Sequence, residues 1–225
     1  MEITPAMSAA PLFRQISAED LGELLTCMGA LRRRYRRGEL ILRRGDRVER
    51  LGLVLSGAVH VVKEDFWGNR TIVGLAEPGE VFAESYACLS TEPLEVSALA
   101  AADTEVLFLD AGRAVAGCGR GCAAHAQLSR NLLALLAGRN LALTRKMGHM
   151  ARRTTRDKLL SFLSAQALRA GSSDFDIPLD RQQLADYLAV DRSALSAVLG
   201  KLRREGVLTF HKNHFHLLRE VGEEV

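Results

Sequence analysis

Two groups of side chains in this 225-residue chain have types and spacings that suit chemistry. The first lies between residues 180 and 205. Written on a helical wheel, Leu195, Val198, Leu199 and Leu202 share one side, and Arg192, Ser193, Ser196, Ala197, Lys201 and Arg204 are left on the other. An arginine in the first turn of such a helix can enter a major groove and bond bidentately to guanine, while the serines reach base edges or phosphate. The second group is Cys118, Cys122 and His125. If a helix begins before Cys118, all three lie near one face, and thiolate plus imidazole suits zinc, iron or haem. A closed zinc site needs a fourth ligand, for which Cys88 is the guess. A redox role is the other chemistry open to these thiols, and ordinary small residues at a loop–helix junction are the plain alternative.

The elements that must position these groups follow from periodicity. Leu21, Leu24, Leu25 and Met28 are spaced helically behind a candidate cap, Ser17. From Tyr35 to Leu109 short apolar runs alternate with turn signals such as Gly45-Asp46, Ser56-Gly57 and Pro78-Gly79. Strands at that pace form a small antiparallel barrel or roll. After Gly121 the pattern is helical for nearly thirty residues. One heptad phase places Leu133, Leu136, Leu143, Met147 and Met150 on a single seam with Asn140 as its polar member, and a second stripe, Leu128, Leu132 and Leu135, faces the roll. A helix apolar on two faces needs two things to bury them against, which makes this a dimerisation helix. Then come a helix containing Leu159, Leu160, Phe162 and Leu163, two short helices at Arg181 to Leu188 and Arg192 to Glu205 capped by Asp180 and Asp191, and a hairpin turning at Lys212-Asn213.

The expected fold class is therefore α+β: an antiparallel β-roll sensor over 12–120, a dimerisation helix over 121–151 and a winged helix-turn-helix over 152–220. Composition agrees with a folded protein, at 48% hydrophobic and 25% charged residues. A net charge of +3 announces no partner by itself, but residues 150–219 hold 12 basic against 7 acidic side chains, on the half that would face phosphate. No apolar run is long enough for a membrane span, and Met1-Glu2-Ile3-Thr4 does not start a signal peptide, so a cytoplasmic location without membrane contact is expected. Four cysteines are too few to staple a chain of this size and should stay thiols. There is no P-loop, no nucleophile elbow and no acid–base pair, so no enzyme is expected. His60, His149, His211, His214 and His216 are read as polar surface groups or phosphate contacts.

The segments Asp180-Arg181-Gln182-Gln183-Leu184-Ala185-Asp186-Tyr187-Leu188, Val190-Asp191-Arg192-Ser193-Ala194-Leu195-Ser196 and Leu202-Arg203-Arg204-Glu205-Gly206-Val207-Leu208 resemble the DNA-binding domain of the CRP/FNR transcription regulators. The order of roll, long helix and winged domain extends the likeness over nearly the whole chain. The resemblance implies a homodimer on a palindromic double-stranded operator, answering to an effector and working with RNA polymerase. By position, Arg181 and Gln182 match residues near phosphates, and Arg192, Ser193, Ser196 and Lys201 lie on the reading helix. Many members carry arginine where this chain has Ala197, a difference worth about 1–3 kcal/mol of discrimination at one base.

The same resemblance locates an effector pocket at Glu84, Leu94 and Glu95, with Leu132 and Leu135 of the long helix. In cyclic-nucleotide members a Gly-Glu pair meets the ribose and an Arg-Ser pair about ten residues on holds the phosphate. Here Ala83-Glu84 and Leu94-Glu95 stand at those places. An apolar group and a carboxylate cannot replace a cation and a donor, so cyclic AMP is not expected. Leu141 and Ala142 also stand where a hydroxylated pair meets the purine. Haem or a metal at Cys118, Cys122 and His125 is the alternative cofactor. A ligand-binding subunit acting through protein contacts is the alternative function. An iron–sulfur cluster of the FNR kind is not expected, because Cys27 is the single cysteine near the N-terminus.

Overall fold

The computed structural model describes residues 3–65, 67–117 and 122–218. The chain divides inside its longest helix into two compact units, Met1–Gly138 and Arg139–Val225.

In the first unit, helix α1 (Pro5–Ala9), a 3-10 turn (Pro11–Phe13) and helix α2 (Ala18–Cys27) precede the strands. The Ser17 hydroxyl accepts the Asp20 amide at 3.1 Å and caps α2. Strands β1 (Leu31–Tyr35), β2 (Leu40–Leu42), β3 (Arg50–Ser56), β4 (Val59–Glu64), β5 (Arg70–Ala76), β6 (Val81–Phe82), β7 (Ser97–Ala100) and β8 (Thr104–Asp110) follow, with helix α3 (Glu84–Leu89) between β6 and β7. They form two antiparallel sheets, ordered β1-β8-β3-β6 and β2-β7-β4-β5. The expected roll is present. Its segment 81–100 gave no strand signal in the sequence because β6 is two residues long and β7 reads Ser-Ala-Leu-Ala, a composition that only tertiary pairing holds extended.

The first sheet is covered on both faces, so β3 reads as an unbroken apolar run. Side-chain alternation sorts it. Leu51, Leu53 and Leu55 of β3 and Leu107 and Leu109 of β8 join the core formed with α1, α2 and the stripe Leu128 and Leu132. Val54, Val106 and Phe108 point the other way, to Val59, Ala76 and Ala98 of the second sheet. Gly52 is needed there, since a Cβ would lie 2.4 Å from the Phe82 ring. The basic run beginning at Arg32 is a solvated face: Arg32 and Arg34 both clasp Glu105 across the β1–β8 pair, at 2.6 and 2.7 Å. The Arg32 hydrogen bond foremost holds the Glu105 carboxyl below its ordinary pKa.

Helix α4 (Ala111–Ala116) closes the roll, and helix α5 (Ala123–Met150) starts here and continues into the second unit. There α6 (Thr155–Ala170), β9 (Asp174–Asp176), α7 (Arg181–Leu188), α8 (Arg192–Arg204), β10 (Leu208–His211) and β11 (His214–Leu217) follow. Thirteen buried side chains, including Leu159, Phe162, Leu184, Leu195, Leu199 and Phe215, form one core under the three helices and the sheet. That sheet has three strands, ordered β10-β11-β9, where the sequence suggested a bare hairpin. His214 and His216 pair with Asp174 and Asp176 across β9–β11 at 2.9–3.1 Å, so these histidines, read as surface or phosphate groups, already have aspartate partners.

His149 departs further from expectation. It is buried, its Nδ1 stands 2.9 Å from the Ser161 hydroxyl, and its ring meets Phe162 edge-on. Burial first, and the Arg152 charge second, lower its pKa. A lone histidine between Gly148 and Met150 gives no sign of such packing.

Candidate nucleic-acid interface

Helices α7 and α8 begin at strong caps. Asp180 accepts the Gln183 amide at 2.8 Å while the Gln183 side chain accepts the Asp180 amide at 2.8 Å, a full capping box. The Asp191 carboxylate accepts the amides of Ser193 and Ala194 at 2.8 and 2.9 Å, and the Ser193 hydroxyl donates to it as well. These bonds lower the Asp191 pKa, that from the Ser193 side chain most. The two helices are thus fixed at their N-terminal ends by local bonds, and their apolar sides by Leu184, Ala185, Leu188, Leu195, Leu199 and Leu202, all buried.

What remains outside is the polar face expected of a reading helix. Arg192, Ser193, Ser196, Lys201 and Arg204 are all exposed on α8. Arg192 occupies its first position, with its side chain exposed. Ser196 donates to the Arg192 carbonyl at 2.9 Å, which leaves its oxygen free to accept. Lys201 lies 3.9 Å from Glu205, a loose exposed pair. Glu205 is held more firmly by Arg156 at 2.6 Å, which ties α6 to the end of α8. Gln182 is exposed on α7, its amide on Asp186 at 2.9 Å.

Arg181 is placed differently from its neighbours. Its guanidinium is half-buried, donates to the Lys212 carbonyl at 3.1 Å, and stands 5.1 Å over the Phe210 ring. Arg203 of α8 stands 5.6 Å from the same ring. Phe210 is therefore flanked by cations from both helices and stacks on buried Phe215 at 6.0 Å. The wing is clamped to the helix pair through this ring, a linkage that alternating sequence pattern does not reveal.

On α5 the seam residues Leu133, Leu143 and Met147 are 68%, 61% and 69% exposed, and Asn140 and Met150 are exposed too. Leu136 differs, since it packs against the sensor core and is half-buried. Leu132 is a core residue and Leu135 packs beside it, so the structure uses both to seat the helix on the roll rather than to line an open pocket.

The other expected pocket residues are also placed. Glu84 is buried in the first turn of α3 and accepts the Ser85 hydroxyl at 3.4 Å. Ala83 before it has φ +58°, the left-handed region. Leu94 is buried and pinned by backbone bonds to Gly45 and Asp46, and Glu95 is exposed. No cation stands at either of the last two positions, and the carboxylate of Glu95 would repel a phosphate. These residues do not fit a cyclic nucleotide as the family's Arg-Ser pair does.

The expected thiol site changes shape. Cys118 lies outside the described residues. Helix α5 begins at Ala123, so Cys122 precedes it and does not share a helix with His125. Among the described residues, Cys27, Cys88 and Cys122 are free thiols, and no three His, Cys, Asp or Glu side chains gather as a metal set.

A capped helix pair with an exposed basic reading face, a clamped wing, and a two-sheet roll packed under a long helix define a winged helix-turn-helix DNA-binding regulator with a sensor domain. Residues 32–116 match the cyclic nucleotide-binding domain family and residues 157–220 the Crp-like helix-turn-helix domain family. The chain is 30% identical over 202 residues to the cyclic AMP receptor protein of Thermus thermophilus, a match spanning 90% of this chain and 89% of that one. It is 23% identical to the transcriptional activator FnrL of Cereibacter sphaeroides, over 85% and 81% of the two chains. The crystal structure of the Thermus thermophilus catabolite activator protein superposes with a TM-score of 0.52 over 94% of both chains, at 30% identity. The regulator CLP of Xanthomonas campestris, at 21% identity and a TM-score of 0.53 over 90% of this chain and all of that one, shares the fold. The chain belongs to the CRP/FNR family of transcription regulators. Among its described residues no helix is long and apolar enough to cross a membrane.

Proposed function

We propose that two copies of this chain form a homodimer, joined along α5, that binds a palindromic operator in the cytoplasm and acts on RNA polymerase without catalysing a reaction. The observation that carries this reading is the exposed apolar seam of Leu133, Leu143 and Met147 on a chain that has one reading helix. A single α8 covers one half-site, and a dimer sets two such helices one turn of duplex apart. Arg192, Ser193 and Ser196 would read bases, Gln182 and Lys201 would meet phosphate, and Arg181 would hold the wing. Sedimentation together with binding to duplexes carrying two half-sites or one tests it. A monomer, or equal affinity for both duplexes, would remove the dimer.

One comparison favours a second reading of the effector, because the Thermus thermophilus relative is named a cyclic AMP receptor. Against this stand buried Leu94 and the exposed carboxylate of Glu95. The loss of one bidentate phosphate contact, with repulsion added, costs several kcal/mol, since charge-assisted bonds contribute about 1.5–3 kcal/mol each. The effector in our reading is therefore not cyclic AMP. Calorimetry should show no heat with cyclic AMP or cyclic GMP at physiological concentration, and micromolar affinity for either would restore the cyclic-nucleotide reading.

A further inference from the structure

An open cleft of about 800 Å³ lies where the end of α2, the end of α4 and the start of α5 meet in the sensor unit. Its wall includes Leu24, Cys27, Arg113, Cys122 and His125. His125 is 4% exposed, and neither ring nitrogen has a hydrogen-bond partner. Buried polar atoms in folded proteins are nearly always paired, so an imidazole with both nitrogens orphaned beside a cleft marks a ligand's place.

The other polar groups of the wall among the described residues are accounted for. Arg113 donates Nη1 to the Cys27 carbonyl at 3.0 Å and directs Nε to Asp110 at 3.4 Å. The Thr26 hydroxyl donates to the Gly22 carbonyl at 3.1 Å. Glu23 is exposed on the rim.

The chemistry of the occupant follows by elimination. A cleft of this volume far exceeds a single ion, and no metal-binding set of three groups is gathered among the described residues. An anion would face Glu23 and find Arg113 already paired. A neutral organic molecule meets neither penalty. Two thiols and Leu24 offer soft apolar contact that suits an aromatic ring. A neutral imidazole gives one donor and one acceptor, the pairing a hydroxyl answers. We propose that this cleft binds a small neutral aromatic ligand bearing a hydroxyl, a phenol by class, whose hydroxyl pairs with His125 and whose ring packs against Leu24, Cys27 and Cys122. The contact falls in the first turn of α5, the helix that continues into the DNA-binding unit.

The test uses the whole protein without DNA, so its failure leaves operator recognition untouched. p-Cresol, toluene and p-toluate are titrated by calorimetry and by thermal shift. p-Cresol should bind with a Kd of about 10–1,000 µM, a range open to so few heavy atoms, and both controls at least about tenfold more weakly. His125→Phe keeps the ring and removes the nitrogens. It should melt no lower than wild type and bind p-cresol only as weakly as toluene. Cys27→Trp, at an exposed position, fills the cleft and should abolish binding even where the first variant does not fold. Toluene binding as tightly as p-cresol, tighter binding of p-toluate, no heat from p-cresol at millimolar concentration, or unchanged binding in Cys27→Trp would each overturn the proposal.

Discussion

The helix-turn-helix segment and the sensor's ligand-facing groups are built on opposite plans. Arg192, Ser193, Ser196 and Lys201 stand within ten residues on one helix, and their caps, Asp180 and Asp191, lie at the helix starts they serve. The groups around His125 come from α2, α4 and α5, with Cys27 and Cys122 some 95 positions apart in the chain. Local geometry presents the first site, and packing of the whole roll assembles the second. A regulator built this way can change what it senses without disturbing how it reads DNA, because the cleft draws on α2, α4 and α5 and the reading face on α8.

The sharpest way to break that contrast is to attack α5, the helix that runs from one unit into the other. Leu143→Glu with Met147→Glu replaces exposed seam residues that have no role in either core, so each chain should fold yet remain monomeric. Four carboxylates buried without partners in each dimer would cost more than the seam supplies. Operator affinity should fall by orders of magnitude while thermal unfolding of the chain changes little. An intact dimer in sedimentation would take α5 out of the interface.

A smaller effect is expected within the local site. Arg192→Ala should weaken operator binding by about 1–3 kcal/mol and affect random DNA much less. Equal loss on both would make Arg192 a phosphate contact.

Phe210→Leu removes the ring between Arg181 and Arg203 and should lower stability by about 1–2 kcal/mol, two cation–π contacts being worth about 0.5–1 kcal/mol each. The protected length of operator in a footprint should shorten at its flanks. A footprint of unchanged length would show that the wing is positioned by the Phe215 core alone.

The smallest effect lies in the sensor. Ala83 holds φ +58° just before α3, where the family resemblance places glycine. A side chain there costs about 1 kcal/mol of backbone strain, offset in part by glycine's greater freedom when unfolded. Ala83→Gly should therefore raise unfolding free energy by at most about 1 kcal/mol in urea titration. A loss of stability would mean that the Ala83 methyl packs more than its backbone suffers.

Much of the fold was legible because its signals are local. Leu195, Leu199 and Leu202 repeat at helical spacing, Asp180 and Asp191 cap α7 and α8, and β3 and β8 stand out as apolar runs. The short strand β7, the third wing strand β9 and the burial of His149 were not legible, since each is held by partners far away in sequence. The helical spacing of Cys122 and His125 misled for a related reason. Spacing describes a face only if one helix carries both, and α5 begins at Ala123, after Cys122.

Sequence alone therefore determined the order of roll, long helix and winged domain, helices α7 and α8 with their caps, and the apolar stripe on α5. Each depends on side-chain type and on periods of two or 3.6 residues, which the backbone imposes without help from elsewhere. Tertiary structure alone decided that Leu136 turns from seam to core, that Arg181 clamps the wing, and that Cys27 joins His125 at one cleft. Those outcomes turn on which distant surfaces close over one another, and burial, unlike periodicity, is a property of the folded chain as a whole.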